Sequence, residues 1–249
     1  MAIDLGEEIG NRRKRLSITG ADWVGQTLAT LLARDEVKWM GITANRNPLD
    51  AWVYQQIIWE NRPEIIIELG AYQGGTTLFL ADMLDLVSRR NPSCQGEVIA
   101  VDINEECFQV GFYPRVNFIR GDTADENVFA RVKGLCVGKK VMLIHDASHV
   151  KDDVLRDMEI WSSIVSPGQY LVVEDGIVDL IDGVWGHFDA GPMSAVSEFL
   201  ERHPEFELDT GKEFFTLTHN PIGFLKRSGN VASVSDDNLQ RLASHTADH

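Results

Sequence analysis

Residues 64–77 read Glu-Ile-Ile-Ile-Glu-Leu-Gly-Ala-Tyr-Gln-Gly-Gly-Thr-Thr. Ile65 to Ile67 form an apolar, β-branched run, which suits a strand buried on both faces. Glycines follow at positions 70, 74 and 75, and then Leu78, Leu80, Ala81, Leu84 and Val87 recur at helical intervals. Strand, glycine turn and helix make the first half of a βαβ unit, and open α/β sheets bind ligands beyond the carboxyl ends of their strands. The spacing G-x-x-x-G-G is not a P-loop, because Thr76 stands where lysine is needed, and Ala71-Tyr72 breaks the dinucleotide pattern. Glu68, at the strand end, would repel a pyrophosphate and suits a cationic, hydroxyl-bearing ligand. S-adenosylmethionine is such a ligand, with an ammonium, a sulfonium and a ribose but no phosphate. A glycine turn that serves packing alone is the plainer alternative.

Outward from this stretch, strand and helix patterns alternate. Strands are expected at 64–69, 97–102, 115–120, 140–145 and 169–174, and helices near 75–90, 105–110, 124–133, 150–163 and 192–202. This alternation implies an α/β fold, Rossmann-like and doubly wound, with a mostly parallel sheet covered on both faces. Phe214 to Thr218 and Gly223 to Lys226 read as an antiparallel hairpin closing one edge. Upstream, Asp22 is the expected cap of a helix running to about Ala33. Asp50 is the expected cap of a second helix carrying Trp52, Val53, Gln56, Ile57 and Glu60 and stopping near Pro63. The chain divides into an N-terminal arm and helix (1–38), one α/β domain (39–227) and a polar tail (228–249).

The composition narrows the partners. A net charge of −15 over 249 residues argues against nucleic acid and anionic membrane, both of which call for basic patches. The cluster Arg12, Arg13, Lys14 and Arg15 reads as a solvated arm. Cys94, Cys107 and Cys136 are odd in number and far apart, which fits neither a zinc site nor a disulfide framework and points to a reducing cytoplasm. No apolar run reaches the roughly 20 residues that span a bilayer, and Met1 to Gly10 is acidic and lacks a secretory core.

The strand ends carry the chemistry. Asp102 closes the second expected strand, where a carboxylate accepts hydrogen bonds from ribose hydroxyls. Asp122 follows the third and is a candidate for the adenine side. The runs Val141 to His149 and Leu171 to Gly176 each pass from buried strand into acids, so Asp146, Glu174 and Asp175 should converge on one sheet edge. Clustered carboxylates repel unless a cation or proton intervenes, and an all-oxygen set suits a hard divalent ion such as Mg²⁺. Separate turn and capping roles for the three acids are the alternative. His149, three residues past Asp146, is placed to act as a general base. His145 should point to the opposite face of its strand and pack structurally; a two-His, one-carboxylate iron site is the minority reading of the same residues.

With these motifs in order, the chain resembles the cephalosporin hydroxylase family of class I S-adenosylmethionine-dependent O-methyltransferases, close to the bacterial rhamnosyl and macrolide-sugar enzymes. The resemblance runs from about Trp39 to Arg227. It is carried by Trp39-Met40-Gly41, Asp50 to Gln55, Ile66, Glu68, Leu69 and Gly70 with Gly74-Gly75, Val101-Asp102, Asp146 to His149, Tyr170 to Asp175, Gly191-Pro192, Ala195 to Leu200 and Asn220 to Gly223. It implies that Glu68, Gly70, Gly74, Gly75 and Thr76 hold the methionine part of the cofactor, Asp102 its ribose and Asp122 its adenine side. It further implies Mg²⁺ on Asp146, Glu174 and Asp175, His149 as base, a sugar or other diol as acceptor, and a homo-oligomer. His145 and Pro221-Ile222-Gly223 depart from the usual family pattern without touching these positions. A small-molecule hydroxylase and a non-catalytic S-adenosylmethionine-binding protein are the alternatives. Trp185, His187 and Phe188 are candidates to stack on the acceptor.

Overall fold

The computed structural model describes residues 19–20, 22–27, 37–180 and 190–229. The basic arm, the end of the helix expected to reach Ala33, the stacking candidates Trp185, His187 and Phe188, and the tail from 230 lie outside the described residues.

A short antiparallel hairpin, β1 (Lys38–Trp39) and β2 (Ile42–Thr43), turns through Met40 and Gly41, both at positive φ. Helix α1 (Pro48–Asn61) follows, then β3 (Ile65–Leu69), α2 (Gly75–Arg90), β4 (Glu97–Asp102) and β5 (Val116–Arg120). Next come α3 (Glu126–Leu135), β6 (Val141–His145), α4 (Lys151–Trp161), β7 (Tyr170–Val173), α5 (Pro192–Arg202), β8 (Phe206–Leu208) and β9 (Phe224–Arg227). The main sheet has the order β5-β4-β3-β6-β7-β9-β8, with β3 to β7 parallel and β9 and β8 antiparallel at one edge.

Both faces of the sheet are covered, as the continuous apolar strands require. Ile65, Ile67 and Leu69 pack with Val132, Met158, Trp161 and Phe199 from α3, α4 and α5. Ile66 packs on the other side with Tyr54, Ile57, Leu80 and Leu84 from α1 and α2. Each of these fully buried side chains contributes about 1.5–3 kcal/mol of transfer free energy. From β3 the chain steps outward to β4 and β5, then returns to place β6 on the other side of β3. The crevice at that reversal is where a doubly wound sheet binds ligands.

Several local expectations are corrected. The edge hairpin pairs β9 with Phe206–Leu208, not with Phe214 to Thr218. The latter segment follows a 3₁₀ turn at Thr210–Glu213 capped by Asp209, whose Oδ1 accepts from the Gly211 amide at 3.1 Å, and Thr216 turns it at positive φ. Phe206 buries its ring in the core, whereas Phe214 and Phe215 remain partly exposed against each other. Asn47, not Asp50, caps α1, accepting from the Leu49 amide at 3.1 Å. Asp50 sits in the first turn and turns its carboxylate to Thr218 Oγ1 (2.6 Å) and the His219 amide (2.9 Å). Thr19 rather than Asp22 caps the first helix; the two residues exchange hydrogen bonds as a capping box. The helix expected at 105–110 is one 3₁₀ turn, Glu105–Cys107.

Candidate active site

Hydrogen bonds that run past the strand ends fix the site. Gly70 N donates to Val101 O (2.9 Å), Asp146 N to Leu69 O (2.7 Å) and Glu174 N to His145 O (3.0 Å). The residues after β3, β6 and β7 are thereby tied across the sheet. Gly70 has φ +87° and lies against the Asp146–Ala147 backbone, where a Cβ would collide. Gly75 lies in the same way against the Thr43 carbonyl, and Gly74 against Phe108 and Val110. These two glycines let the loop pack onto its neighbours and do not line the crevice.

A cavity of about 420 Å³ opens there, and its lining includes Glu68, Gly70, Thr76, Asp102, Asp146, His149 and Asp175. A second, of about 340 Å³, shares Gly70, Asp102 and Ala147 with it and reaches Asp122. The expected cofactor residues therefore border two adjoining spaces, apart from Gly74 and Gly75. Asp102 Oδ2 accepts from the Ala71 and Tyr72 amides, each at 2.8 Å, and Asp122 Oδ1 from the Ala124 amide at 2.9 Å.

Glu68 is fully buried in β3. Its Oε2 accepts from the Thr77 hydroxyl, while Oε1 has no partner. Burial pushes its carboxyl up to about 8. An orphaned, buried carboxyl oxygen bordering a cavity fits the ammonium of an amino-acid ligand, whose charge would draw off the proton that burial retains. It also gives a stability prediction. Glu68 keeps its proton in the folded state up to about pH 8, whereas the unfolded chain releases it near ~4.3. Between these values the native state binds more protons, so stability falls as pH rises, by on the order of 4 kcal/mol by pH 8. Urea unfolding of Glu68→Gln across pH 5–8 is expected to lack this decline; equal pH slopes for the two proteins would show Glu68 to be ionised in the fold.

At the other strand ends, ligand atoms of Asp146, His149 and Asp175 all lie within 4.8 Å of one another. His149 Nε2 is 2.9 Å from Asp175 Oδ2 and 3.9 Å from Asp146 Oδ1. Burial, then the charges of Glu174 and Asp175, hold the Asp146 carboxyl well above the usual carboxylate range against the opposing effect of Arg46. Burial alone would also raise Asp175, but the hydrogen bond and charge of His149 outweigh it and keep that group low. Burial alone would depress the His149 imidazole; its bond to Asp175 outweighs that and raises it. Asp175 has a left-handed backbone, φ 55°, and its amide donates to Asn220 Oδ1 at 3.0 Å. A crowded set of acids, one of them raised by burial and by the charges of its neighbours, fits a hard divalent cation.

Glu174 lies apart from that trio. Its Oε1 accepts from Arg46 Nη1 and, at 2.6 Å, from the Tyr54 hydroxyl. Arg46 also reaches Thr76 Oγ1 (3.3 Å) and Asp146 Oδ2 (3.9 Å), and its guanidinium stacks over the Tyr54 ring. Arg46 does not stand out as a site residue in the sequence. The available signal is that Arg46 is the single charge in the loop 41–49. His145 faces away from the crevice, with Nε2 3.1 Å from Asp157 Oδ2, so a two-His, one-carboxylate set does not form. Ala44 and Arg46 also border an apolar cavity of about 390 Å³ lined by Trp39, Trp52, Phe79 and Met83.

The rhamnosyl O-methyltransferase/CmcI family model matches residues 33–228. This chain belongs to that family. The rhamnosyl O-methyltransferase of Mycobacterium leprae is 29% identical over 199 residues, 76% of this chain and 82% of its own. That of Mycobacterium tuberculosis strain H37Rv is 28% identical over 202 residues, 76% of this chain and 78% of its own. Among solved structures, CmcI with Mg and S-adenosylmethionine superposes with a TM-score of 0.61 at 22% identity, covering 78% of this chain and 77% of that one. The membership makes this rhamnosyl O-methyltransferase/CmcI protein an O-methyltransferase, and the Rossmann-like class expected from the sequence is its fold. No helix among the described residues is long and apolar enough to cross a membrane.

Proposed function

We propose that the protein transfers the methyl group of S-adenosylmethionine, with Mg²⁺, to a hydroxyl of a small molecule: a sugar of the rhamnosyl kind or a natural-product diol. The observation that carries this reading is the pairing, at the sheet's reversal point, of the buried Glu68 carboxylate with the Asp146, His149 and Asp175 cluster along one cavity. Glu68, Gly70 and Thr76 hold the methionine part of the cofactor, with Gly74 and Gly75 shaping the loop; Asp102 holds its ribose and Asp122 its adenine side. Asp146, Glu174 and Asp175 hold the metal. Bound there, S-adenosylmethionine supplies an electrophilic methyl carbon, and Mg²⁺ lowers the pKa of a nearby hydroxyl.

The protein's own groups then have defined tasks. His149 takes the acceptor's proton at the ring nitrogen that Asp175 does not hold, and Asp175, 2.9 Å from Nε2, stabilises the imidazolium that forms. The strand-end hydrogen bonds fix the loops that carry these groups, and holding acceptor and donor in register supplies up to ~7–11 kcal/mol of the barrier reduction. A homo-oligomer belongs to this reading, and the exposed Trp52, Trp59 and Leu86 on α1 and α2 supply apolar surface for it. A cytoplasmic setting suits the three free thiols.

The test is methyl transfer from labelled S-adenosylmethionine to a panel of rhamnosides, other glycosides and catechols, before and after EDTA. Product is expected with Mg²⁺, loss with EDTA and recovery on adding Mg²⁺ back. Recovery with Fe²⁺ and oxygen alone would favour a hydroxylase, and a melting shift with S-adenosylmethionine but no product on any diol would favour a non-catalytic binder.

A further inference from the structure

We propose that Arg46 is an exchangeable internal counter-ion: it holds Glu174 while the acid cluster lacks a metal, and it releases that carboxylate when a divalent cation enters. The inference rests on the reading of Asp146, Glu174 and Asp175 as a cation site.

Arg46 and Glu174 are 6% and 7% exposed, so both charges have left water and each depends on the other. The guanidinium is anchored by three further contacts: Thr76, the Tyr54 ring and the more distant Asp146. Glu174 Oε1 is held twice, by Arg46 and by the Tyr54 hydroxyl, and Glu174 is absent from the trio whose ligand atoms gather within 4.8 Å. The adjoining Asp175, which shares its strand end, is inside that trio. The sheet thus delivers two neighbouring acids to one place, and Arg46 with Tyr54 draws one of them aside. Asp146 is the acid that both cations would serve: it is 3.9 Å from Arg46 Nη2 and belongs to the trio. A divalent ion brings twice the charge of the guanidinium to the same carboxylates and prefers several hard oxygen donors at short range. Glu174 is the remaining acid at these strand ends, so the ion and Arg46 compete for one side chain.

Mn²⁺ is the probe, titrated into the full-length protein and followed by electron paramagnetic resonance of the free ion. Arg46→Met, which keeps the chain length without the charge, is expected to bind Mn²⁺ about tenfold more tightly than the wild type. Tyr54→Phe, which removes the second bond to Glu174 Oε1, is expected to shift affinity in the same direction by about threefold. Tyr54→Phe carries the test alone if Arg46→Met fails to fold. Unchanged or weaker binding in the variants overturns the proposal and makes Arg46 a fixed support that orients Glu174 toward the ion. An absence of Mn²⁺ binding in wild type and variants alike overturns the cation-site reading and the proposal with it.

Discussion

Asp146→Asn is expected to leave a folded protein that binds S-adenosylmethionine yet transfers its methyl group ~10³-fold more slowly. That is the scale of losing several kcal/mol of charge stabilisation in the transition state. The reasoning starts from crowding. Asp146 is held above the usual carboxylate range first by burial and then by Glu174 and Asp175. Asparagine is nearly isosteric and removes the repulsion, so without metal the variant should melt no lower than the wild type at neutral pH. Mg²⁺ should raise the wild-type melting temperature and leave the variant's unmoved, since a ligand stabilises only the fold that binds it. Three readouts together separate a lost metal site from a damaged fold: turnover, cofactor binding and the Mg²⁺-dependent melting shift. Wild-type turnover in Asp146→Asn would remove Asp146 from the chemistry.

The second large effect concerns His149. His149→Ala is expected to lower kcat by ~10²–10⁴-fold, the usual contribution of a positioned general base, with little change in KM. The sign of the pH effect follows from the contact with Asp175. Burial works against the charged imidazole, but the 2.9 Å hydrogen bond outweighs it, so the group titrates above its ordinary value. A base must be neutral to act. Wild-type kcat/KM therefore rises with pH as that proton leaves, and the variant's profile loses this acidic limb. A raised KM at unchanged kcat would assign His149 to acceptor binding instead.

Much of the framework was legible because parallel strands buried on both faces write themselves as apolar runs. Ile65 to Ile67, Val98 to Val101, Val141 to Ile144 and Leu171 to Val173 each end at a polar residue, and the fold places those ends along one crevice. Asp146 and Asp175 meet because β6 and β7 are adjacent and in register, which sequence order suggests. The loop glycines were harder to read. Conformational freedom and close approach leave the same mark, and at Gly74 and Gly75 the approaching groups are Phe108, Val110 and the Thr43 carbonyl. The edge hairpin was misplaced because Phe214-Phe215 has the aromatic character of a strand. The three-residue Phe-Glu-Leu of β8 is too short to show alternation. Arg46 and Tyr54 were invisible as partners of Glu174, more than a hundred residues away in sequence. No local pattern encodes a contact made only by closing α1 and its preceding loop over the sheet.

The segment Ala44 to Arg46 borders both the polar crevice and the apolar chamber of Trp39, Trp52, Phe79 and Met83. Ala44 and Thr76 contribute atoms to both compartments, and Thr76 also receives the Arg46 Nε hydrogen bond. Phe79 borders the apolar chamber together with Ala44, Arg46 and Thr76, so a smaller side chain there changes the packing beside the guanidinium. If the guanidinium governs the ion site as proposed, a smaller side chain at Phe79 is expected to alter Mn²⁺ affinity in the same titration, without touching a carboxylate.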